Sequence, residues 1–239
     1  MKAESLKKNE GGFSLFELII AMVITLAVTA LVGTLLAESL RMRTRANDQT
    51  DALADAQRAL NIMSREIANA GLNLNDNGIV PEDSITDAAG NSTIRIRSNL
   101  NKYNPSGNAS VAAQNTIGVV GEDSGEDVKY FLYQAPNTNL LARYDAYNVA
   151  GGSSTVLANR IDSLHIHYFA QKVTYNTSDC DISGASQPEV SPNAATYVVI
   201  AVCVLEPAVG TPGSPGYQPS SRVLLASDVA LRNANLQVY

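Results

Sequence analysis

The sequence has few of the residues that build metal, redox and nucleic-acid sites. Its 239 residues include no tryptophan, two cysteines and two histidines. The cysteines and histidines form no CxxC pair and no cluster with zinc-ligand spacing, so no metal is predicted. No phosphate loop, nucleophile elbow or pair of catalytic acids is found, so we predict neither an enzyme nor a cofactor.

A large excess of basic residues is also missing. The net charge is −6, and residues 1–71 carry eight basic and eight acidic side chains. Residues 72–239 therefore carry the whole net charge, with nine basic and fifteen acidic side chains. Proteins that bind DNA or RNA usually carry a basic patch, so no nucleic-acid partner is indicated.

Proline does not occur before Pro81, which leaves a long region without a helix-breaking residue. Within it, residues 18–37 contain no charged side chain. Twenty helical residues extend about 30 Å, which is the thickness of the hydrocarbon core of a bilayer. We predict a transmembrane helix; the alternative is a buried core helix, which is seldom apolar on every face.

The residues before this region are not ordered as in a secretory signal, in which a small-residue cleavage site follows the apolar core. Here Gly12 precedes the core, in the string Gly-Phe-Ser-Leu-Phe-Glu-Leu-Ile-Ile-Ala. This string resembles the class III signal of type IV prepilins and of type II secretion pseudopilins, whose pattern Gly12, Phe13 and Glu17 match. The resemblance implies cleavage between Gly12 and Phe13 by prepilin peptidase, and N-methylation of Phe13.

Glu17 lies one turn into the apolar helix, where a carboxylate is costly in lipid and usually marks a function. Such a carboxylate needs a cationic partner. The resemblance implies that Glu17 pairs with the new amino terminus at Phe13 of a neighbouring subunit. The alternative is a glutamate that reaches the membrane interface from the end of the helix.

The resemblance also implies an organisation and a set of partners. Residues 1–12 would be a cytoplasmic leader, 13–37 a transmembrane and filament-core helix, 38–71 its amphipathic continuation, and 72–239 an extracytoplasmic head. The expected partners are other pilins or pseudopilins in a filament, an inner-membrane assembly platform and, before assembly, membrane lipid. The expected location is the inner membrane, with a single span, and then a pilus or pseudopilus.

Small residues recur every fourth position along the apolar helix. Such residues let helices approach closely in lipid, so this row predicts helix packing within a filament; background composition is the alternative. The row consists of Ala21, Thr25, Thr29, Gly33 and Ala37.

The helix is predicted to continue from about Ser14 to Ala70, with Gly71 as its stop signal. Its second half is amphipathic, as expected for a helix that packs on a sheet. The apolar side of that half consists of Leu53, Leu60, Met63 and Ile67.

The remainder of the chain alternates short apolar runs with turn residues, which predicts strands. Together with the helix, they predict an α+β pilin-like fold, a long helix packed on an antiparallel β-sheet head. Residues 63–72 and 161–168 resemble minor pilins of the PilW type and J-type pseudopilins. The predicted strands are 94–97, 116–120, 128–133, 140–144, 156–161, 163–169, 197–205, 223–225 and 229–231, with a loop at 207–219 before the last two.

Two pairs of side chains in the head are weighed as sites. His165 and His167 lie on one face of a strand, but no third metal ligand is indicated, so both are expected to face solvent. Cys180 and Cys203 enclose 22 residues, and a disulfide is favoured over a free buried thiol at Cys203.

Two polar segments are weighed as calcium loops. Residues 73–78 contain three asparagines and a glycine, but their carboxylate density is too low for calcium. Residues 121–127 form a denser acidic cluster, which is expected to be a solvated turn.

The leading hypothesis is therefore a minor pilin of a type IV pilus, which acts by polymerisation, with a role in priming assembly as a further expectation. A type II secretion pseudopilin is the alternative within the same class. A membrane-anchored extracytoplasmic enzyme or binding domain is the alternative from another class.

Overall fold

A computed structural model shows two compact units, residues 1–48 and residues 49–239. The structure describes residues 12–100, 124–134, 139–147, 152–213 and 216–234. The strand predicted at 116–120 lies outside these residues. The long apolar helix and the antiparallel sheets found here confirm the predicted α+β fold class.

Helix α1 extends from Leu15 to Ala68, within two residues of the predicted ends. Its part in the first unit is long and apolar enough to cross a membrane, with a mean hydropathy of 2.6 over 18 residues. None of that 18-residue segment is buried. The apolar side chains are exposed all round the helix, as expected for a surface made for lipid or other helices.

In the second unit, α1 buries one face in the core. Leu60, Met63 and Ile67 are at most 1% exposed, as their spacing predicts, whereas Leu53 is partly buried at the edge of the core. Three alanines, each at most 2% exposed, complete the buried face. These are Ala52, Ala56 and Ala59.

The strands form two main antiparallel sheets, with orders β1-β2-β3-β4 and β5-β8-β9, and a small β6-β7 hairpin. The core lies between α1 and both main sheets. The strands are β1 (Ile94–Arg97), β2 (Asp127–Gln134), β3 (Asn139–Asp145), β4 (Ser153–Asn159), β5 (Ile161–Phe169), β6 (Asn176–Ser178), β7 (Asp181–Ser183), β8 (Tyr197–Glu206) and β9 (Ser221–Ala230).

Strand β9 corrects the prediction of two separate segments at 223–225 and 229–231. It pairs with β8 along its whole length, from Glu206 opposite Ser221 to Tyr197 opposite Ala230. Pairing with a long neighbouring strand carries the backbone through the polar residues that interrupt the apolar pattern.

Strand β8 is buried on both faces, which explains its continuous apolar sequence. Val198 and Ile200 belong to the core beneath α1. Tyr197 and Val199 face the other way, into a second cluster formed with Phe169.

The end of α1 is fixed to β1 by backbone hydrogen bonds. Gly71 takes a positive φ of 74°, and its N–H donates to Arg97 O at 2.9 Å. The N–H of Arg97 in turn donates to Gly78 O at 2.7 Å. A Cβ atom at Gly78 would overlap the backbone of Gly71 and Arg97, so only glycine allows this close approach.

Candidate functional site

The first turn of α1 is closed by a reciprocal pair of hydrogen bonds. The N–H of Ser14 donates to Glu17 Oε2 at 2.9 Å, and the N–H of Phe16 donates to Ser14 Oγ at 3.3 Å. This is a capping box, in which the Ser-x-x-Glu spacing satisfies N–H groups that have no partner within the helix. The Ser-x-x-Glu spacing is present in the sequence, but the pairing with a neighbouring subunit and the alternative of a glutamate at the membrane interface both leave this local role of Glu17 out.

The two residues at the predicted cleavage point are open. Gly12 lies just before the helix, and a Cβ atom built there would meet nothing within 4 Å. Phe13 is 89% exposed. Among the described residues, therefore, none covers Gly12 or Phe13.

Apolar side chains surround Glu17 on the surface of the first unit. Phe16 and Leu18, its neighbours in sequence, are 69% and 61% exposed. Placing this helix in lipid or among other helices would remove these side chains from water and raise the cost of an unpaired carboxylate. The site therefore combines one anionic group with a large apolar surface.

The row of small residues satisfies its own hydroxyl groups. Thr25 Oγ1 donates to Ala21 O at 2.7 Å, and Thr29 Oγ1 donates to Thr25 O at 2.7 Å. Gly33 has no atom within 4 Å of a built Cβ. Because these hydroxyls donate within their own helix, they need no acceptor from another chain. What the row offers to another helix is thus the small size of its side chains, and not their polar groups.

A polar network in the second unit joins α1 to β2 and β3. Glu66 accepts a very short hydrogen bond from Tyr130 OH and another from Arg143 Nε at 3.0 Å. Arg143 Nη1 also donates to Asp145 Oδ2 at 3.2 Å. Burial, followed by the charge of Glu66, raises the pKa of the Tyr130 hydroxyl well above its usual value. These contacts fix the helix to the sheet.

The predicted solvated acidic turn is wrong for its described part, because Glu126 and Asp127 are 1% and 3% exposed. Arg95 binds both Asp127 oxygens at 2.7 Å, which compensates the burial of that carboxylate. Residues 121–123 lie outside the described residues.

The same arginine organises a second carboxylate. Arg95 Nη1 donates to Asp83 Oδ2 at 2.6 Å, and Lys129 Nζ donates to Asp83 Oδ1 at 3.1 Å. These hydrogen bonds hold the pKa of the Asp83 carboxyl below its usual 3.8.

The asparagine-rich loop at residues 73–78 packs against other segments of the head. Asn77 is 4% exposed, and its side-chain amide donates to Pro192 O at 2.7 Å and to Ala195 O at 3.0 Å. Its Oδ1 accepts from the N–H of Ile79 at 3.1 Å. The asparagine therefore holds the loop against the following segments.

The histidines are not turned freely to solvent, which corrects their prediction. Their side chains are 22% and 16% exposed for His165 and His167. The cause is hairpin β6-β7, which the sequence did not reveal, together with Glu189. Both ring nitrogens of His167 lie near carboxylates: Nδ1 is 2.8 Å from Glu189 Oε1 and Nε2 is 2.7 Å from Asp181 Oδ1. Burial acts to lower the pKa of His167, but these two hydrogen bonds outweigh it and raise it above 6.5.

Cys180 and Cys203 are joined by a disulfide, with their Cα atoms 5.2 Å apart. Cys180 lies in the turn between β6 and β7, and Cys203 lies in β8. The bond therefore attaches the small hairpin to the three-stranded sheet.

Comparison with known proteins concerns mainly the amino terminus. The prokaryotic N-terminal methylation motif matches residues 7–33, which include Gly12, Phe13 and Glu17. A solved type IV-like pilin from Thermus thermophilus is 12% identical, covers 76% of this chain and 97% of its own, and has a TM-score of 0.40. No curated protein matches the chain. The motif match confirms the prepilin-like signal predicted from the sequence, and the chain is type IV prepilin-like.

Proposed function

We propose that the chain is a minor pilin of a type IV pilus, processed after Gly12, N-methylated at Phe13 and assembled through its amino-terminal helix. The match of residues 7–33 to the methylation motif is the observation that carries the proposal. The open cleavage point and the exposed apolar helix support it. The subunit acts by polymerisation and not as an enzyme.

The same features support a set of partners. A methylated amino terminus requires prepilin peptidase, and an exposed apolar helix requires lipid before assembly and other pilins afterwards. An inner-membrane assembly platform would transfer the subunit from lipid to the filament. The head would then lie outside the cytoplasm, where the disulfide between Cys180 and Cys203 would persist.

Glu17 would gain a second partner during this transfer. In the separate chain it accepts a hydrogen bond from its own Ser14 N–H. In the filament it would also face the amino group of Phe13 on a neighbouring subunit, which supplies the positive charge that a carboxylate in an apolar environment needs.

Mass spectrometry of the mature amino terminus tests the proposal directly. We expect a chain that begins at N-methylated Phe13. Gly12→Leu should block processing because the peptidase recognises the residue before the cleaved bond, while the open space at Gly12 leaves the fold unchanged. A mature chain that begins elsewhere, or efficient processing of Gly12→Leu, would overturn the proposal.

Gly33→Leu is the matched control, because Gly33 is equally open in the separate chain. We expect normal processing of this variant but poor incorporation into filaments, since a bulky side chain separates closely packed helices. Thr29→Val should assemble normally, because its hydroxyl donates within its own helix. Equal incorporation of Gly33→Leu and the unaltered chain would contradict helix packing along this row.

Glu17→Gln keeps the shape of the side chain and removes its charge. We expect processing to continue and incorporation into filaments to fall, whereas Glu38→Gln, in the same helix, should assemble normally. Unchanged incorporation of Glu17→Gln would exclude the charge-pairing role.

A type II secretion pseudopilin remains the alternative, since it shares the same signal. Deletion of the gene distinguishes the two. Loss of pili supports the minor pilin, and loss of protein secretion with normal pili supports the pseudopilin.

A further inference from the structure

We propose that His167 is a pH-sensitive latch: with both ring nitrogens protonated it binds Asp181 and Glu189 at once, and the loss of one proton releases Glu189. The latch lies on the face of the β5-β8-β9 sheet that is turned away from α1, because His167 is opposite Val199 of β8. It holds the segment of residues 173–189, which contains hairpin β6-β7, on that face.

This segment is attached to the sheet at other points besides the latch. Val173 is buried in the second apolar cluster, and Tyr175 and Ile182 pack against the same cluster. The disulfide between Cys180 and Cys203 fixes the turn of the hairpin to β8. Opening of the latch therefore leaves the hairpin in place and affects only the part of the segment that these contacts do not hold.

The number of protons on His167 follows from its contacts. Nδ1 lies 2.8 Å from Glu189 Oε1, and Nε2 lies 2.7 Å from Asp181 Oδ1, which are both hydrogen-bond distances. An ionised carboxylate only accepts hydrogen bonds, whereas a neutral imidazole has one N–H donor and one acceptor nitrogen. Both contacts therefore exist together only when His167 is an imidazolium, which donates from both nitrogens.

Glu189 is the partner that moves when one of these protons is lost. Asp181 is held in place, because the preceding Cys180 is in the disulfide and the N–H of Ile182 donates to Asp181 Oδ1 at 2.7 Å. The side chain of Glu189 is 55% exposed, so its carboxylate can turn into water. The remaining proton is therefore expected on Nε2, opposite Asp181, and the unprotonated Nδ1 no longer binds Glu189.

The region that loosens is short, because the chain on both sides of it is hydrogen-bonded. The N–H of Ser186 donates to Thr174 O at 2.9 Å, and the N–H of Val190 donates to the backbone of β5 at 2.9 Å. Residues 187–189 lie between these bonds and are exposed. Val190 also packs on the core, so the bond of Ser186 is the one that should weaken when Glu189 is released.

The direction of the pH effect follows from the pKa of His167. Burial lowers this pKa, but the hydrogen bonds with Glu189 and Asp181 outweigh burial and raise it above 6.5. A pKa that is raised in the folded state adds stability that is complete below the unfolded value of 6.5 and is lost as the pH rises through the folded pKa. The latch is therefore closed in a mildly acidic medium and opens in an alkaline one.

Other titratable groups on the same face act on this equilibrium. His165 lies 3.6 Å from Asp181 Oδ2 through its Nδ1, so a proton on His165 would oppose a second proton on His167. Asp228 of β9 lies across β8 from His167, and its negative charge favours the imidazolium. Burial raises the pKa of Tyr197 of β8 to about 12, so its hydroxyl stays neutral while His167 titrates.

The latch belongs to the head and depends neither on processing of the amino terminus nor on polymerisation. With the head outside the cytoplasm, as in the proposed function, the latch would respond to the pH of the surroundings. Tests on the separate chain therefore decide on the latch independently of the proposed function.

NMR of the purified full-length chain in detergent, with ¹⁵N-labelled histidine rings, tests the protonation of His167. We expect its pKa to lie above 6.5, with protons on both ring nitrogens below the pKa and on Nε2 alone above it. A pKa at or below 6.5 would overturn the proposal, and so would a remaining proton on Nδ1, which faces Glu189.

Hydrogen exchange of the Ser186 N–H, corrected for the intrinsic effect of pH on exchange, measures the release. We expect its protection to fall by up to about fivefold as the pH rises through the pKa of His167, which is the range of a partly exposed ion pair. In Glu189→Gln this fall should be absent, because the glutamine amide can donate to an unprotonated Nδ1 at any pH. A fall of the same size in Glu189→Gln would overturn the proposal.

His165→Gln is the matched control, since it removes the other imidazole of β5 and keeps both carboxylates beside His167. We expect the same fall in Ser186 protection as in the unaltered chain. Thermal unfolding checks that each variant is folded, and Glu189→Gln, at an exposed position, decides the question if His165→Gln does not fold. Absence of the fall in a folded His165→Gln would assign the pH effect to His165 and contradict the latch.

Discussion

The two halves of α1 have the same backbone and opposite environments. Phe16 in the first half is 69% exposed, whereas Met63 in the second half is fully buried. The first half is apolar on every face, so no single protein surface can cover it. The second half has one apolar face, which the sheets of the head bury. Apolar character alone thus does not identify a core residue; the arrangement of polar residues around it does.

Because their environments differ, the two halves of α1 also contribute differently to the protein. The buried residues of the second half contribute to the stability of the head, because the sheets already cover them in the separate chain. Residues of the first half gain burial only from lipid or other subunits. Substitutions of one residue type in both halves can therefore test this division of roles.

The largest effect is expected from a pair of methionines. Met63→Ala should lower the free energy of unfolding of the head by about 2–5 kcal/mol, because it leaves a cavity in the core. Met22→Ala should leave head stability unchanged, since Met22 is 68% exposed. Chemical denaturation in detergent, followed by near-UV circular dichroism, measures both. Equal destabilisation by the two variants would show that the halves are not energetically separate.

A smaller effect is expected from acidic residues in the second half. Glu66→Ala should cost about 1–3 kcal/mol, because Tyr130 and Arg143 lose their partner in a mostly buried site. Asp55→Ala is the control: its ion pair with Arg58 is exposed and should contribute under about 1 kcal/mol. The same denaturation experiment compares them, and a cost at Asp55 as large as that at Glu66 would contradict the proposed network.

The smallest effect is expected from the pH dependence of stability that Asp83 gives to the head. The pKa of Asp83 is lowered in the folded state, so its ionised form adds stability above the unfolded value of 3.8, and this is lost as the pH falls through the folded pKa. Asp83→Asn should therefore lower the melting temperature near neutral pH, and the difference from the unaltered chain should shrink as the pH falls below 3.8 and through the lowered pKa of Asp83. A difference that does not change with pH would show that Asp83 acts by packing.

The sequence was informative where one local pattern decides the structure. The absence of proline, the uncharged segment and the glycine at 71 were enough to place α1 within two residues. The strands with regular apolar patterns were likewise found near their observed positions, because burial of one face fixes their register.

Pairing between strands and side chains that are distant in the sequence could not be predicted in the same way. Strand β9 depends on β8 for its polar middle section, and β6 and β7 consist largely of polar residues without apolar alternation. The burial of Asp127 depends on Arg95, 32 residues earlier, and the environment of His167 depends on Asp181 and Glu189. In each case the residue or strand that determines the environment is distant in the sequence, and only the fold brings the two together.

The connection between Gly71, Arg97 and Gly78 has a mechanical meaning. If tension is applied along α1, part of it passes into β1 through hydrogen bonds between main-chain atoms, which a change of side chain at Arg97 leaves in place. The joint is therefore insensitive to variation at that strand position and intolerant of any Cβ atom at Gly78. This joint needs glycine at position 78, and it adds a main-chain connection to the side-chain contacts by which Glu66 and the buried face of the helix hold the head.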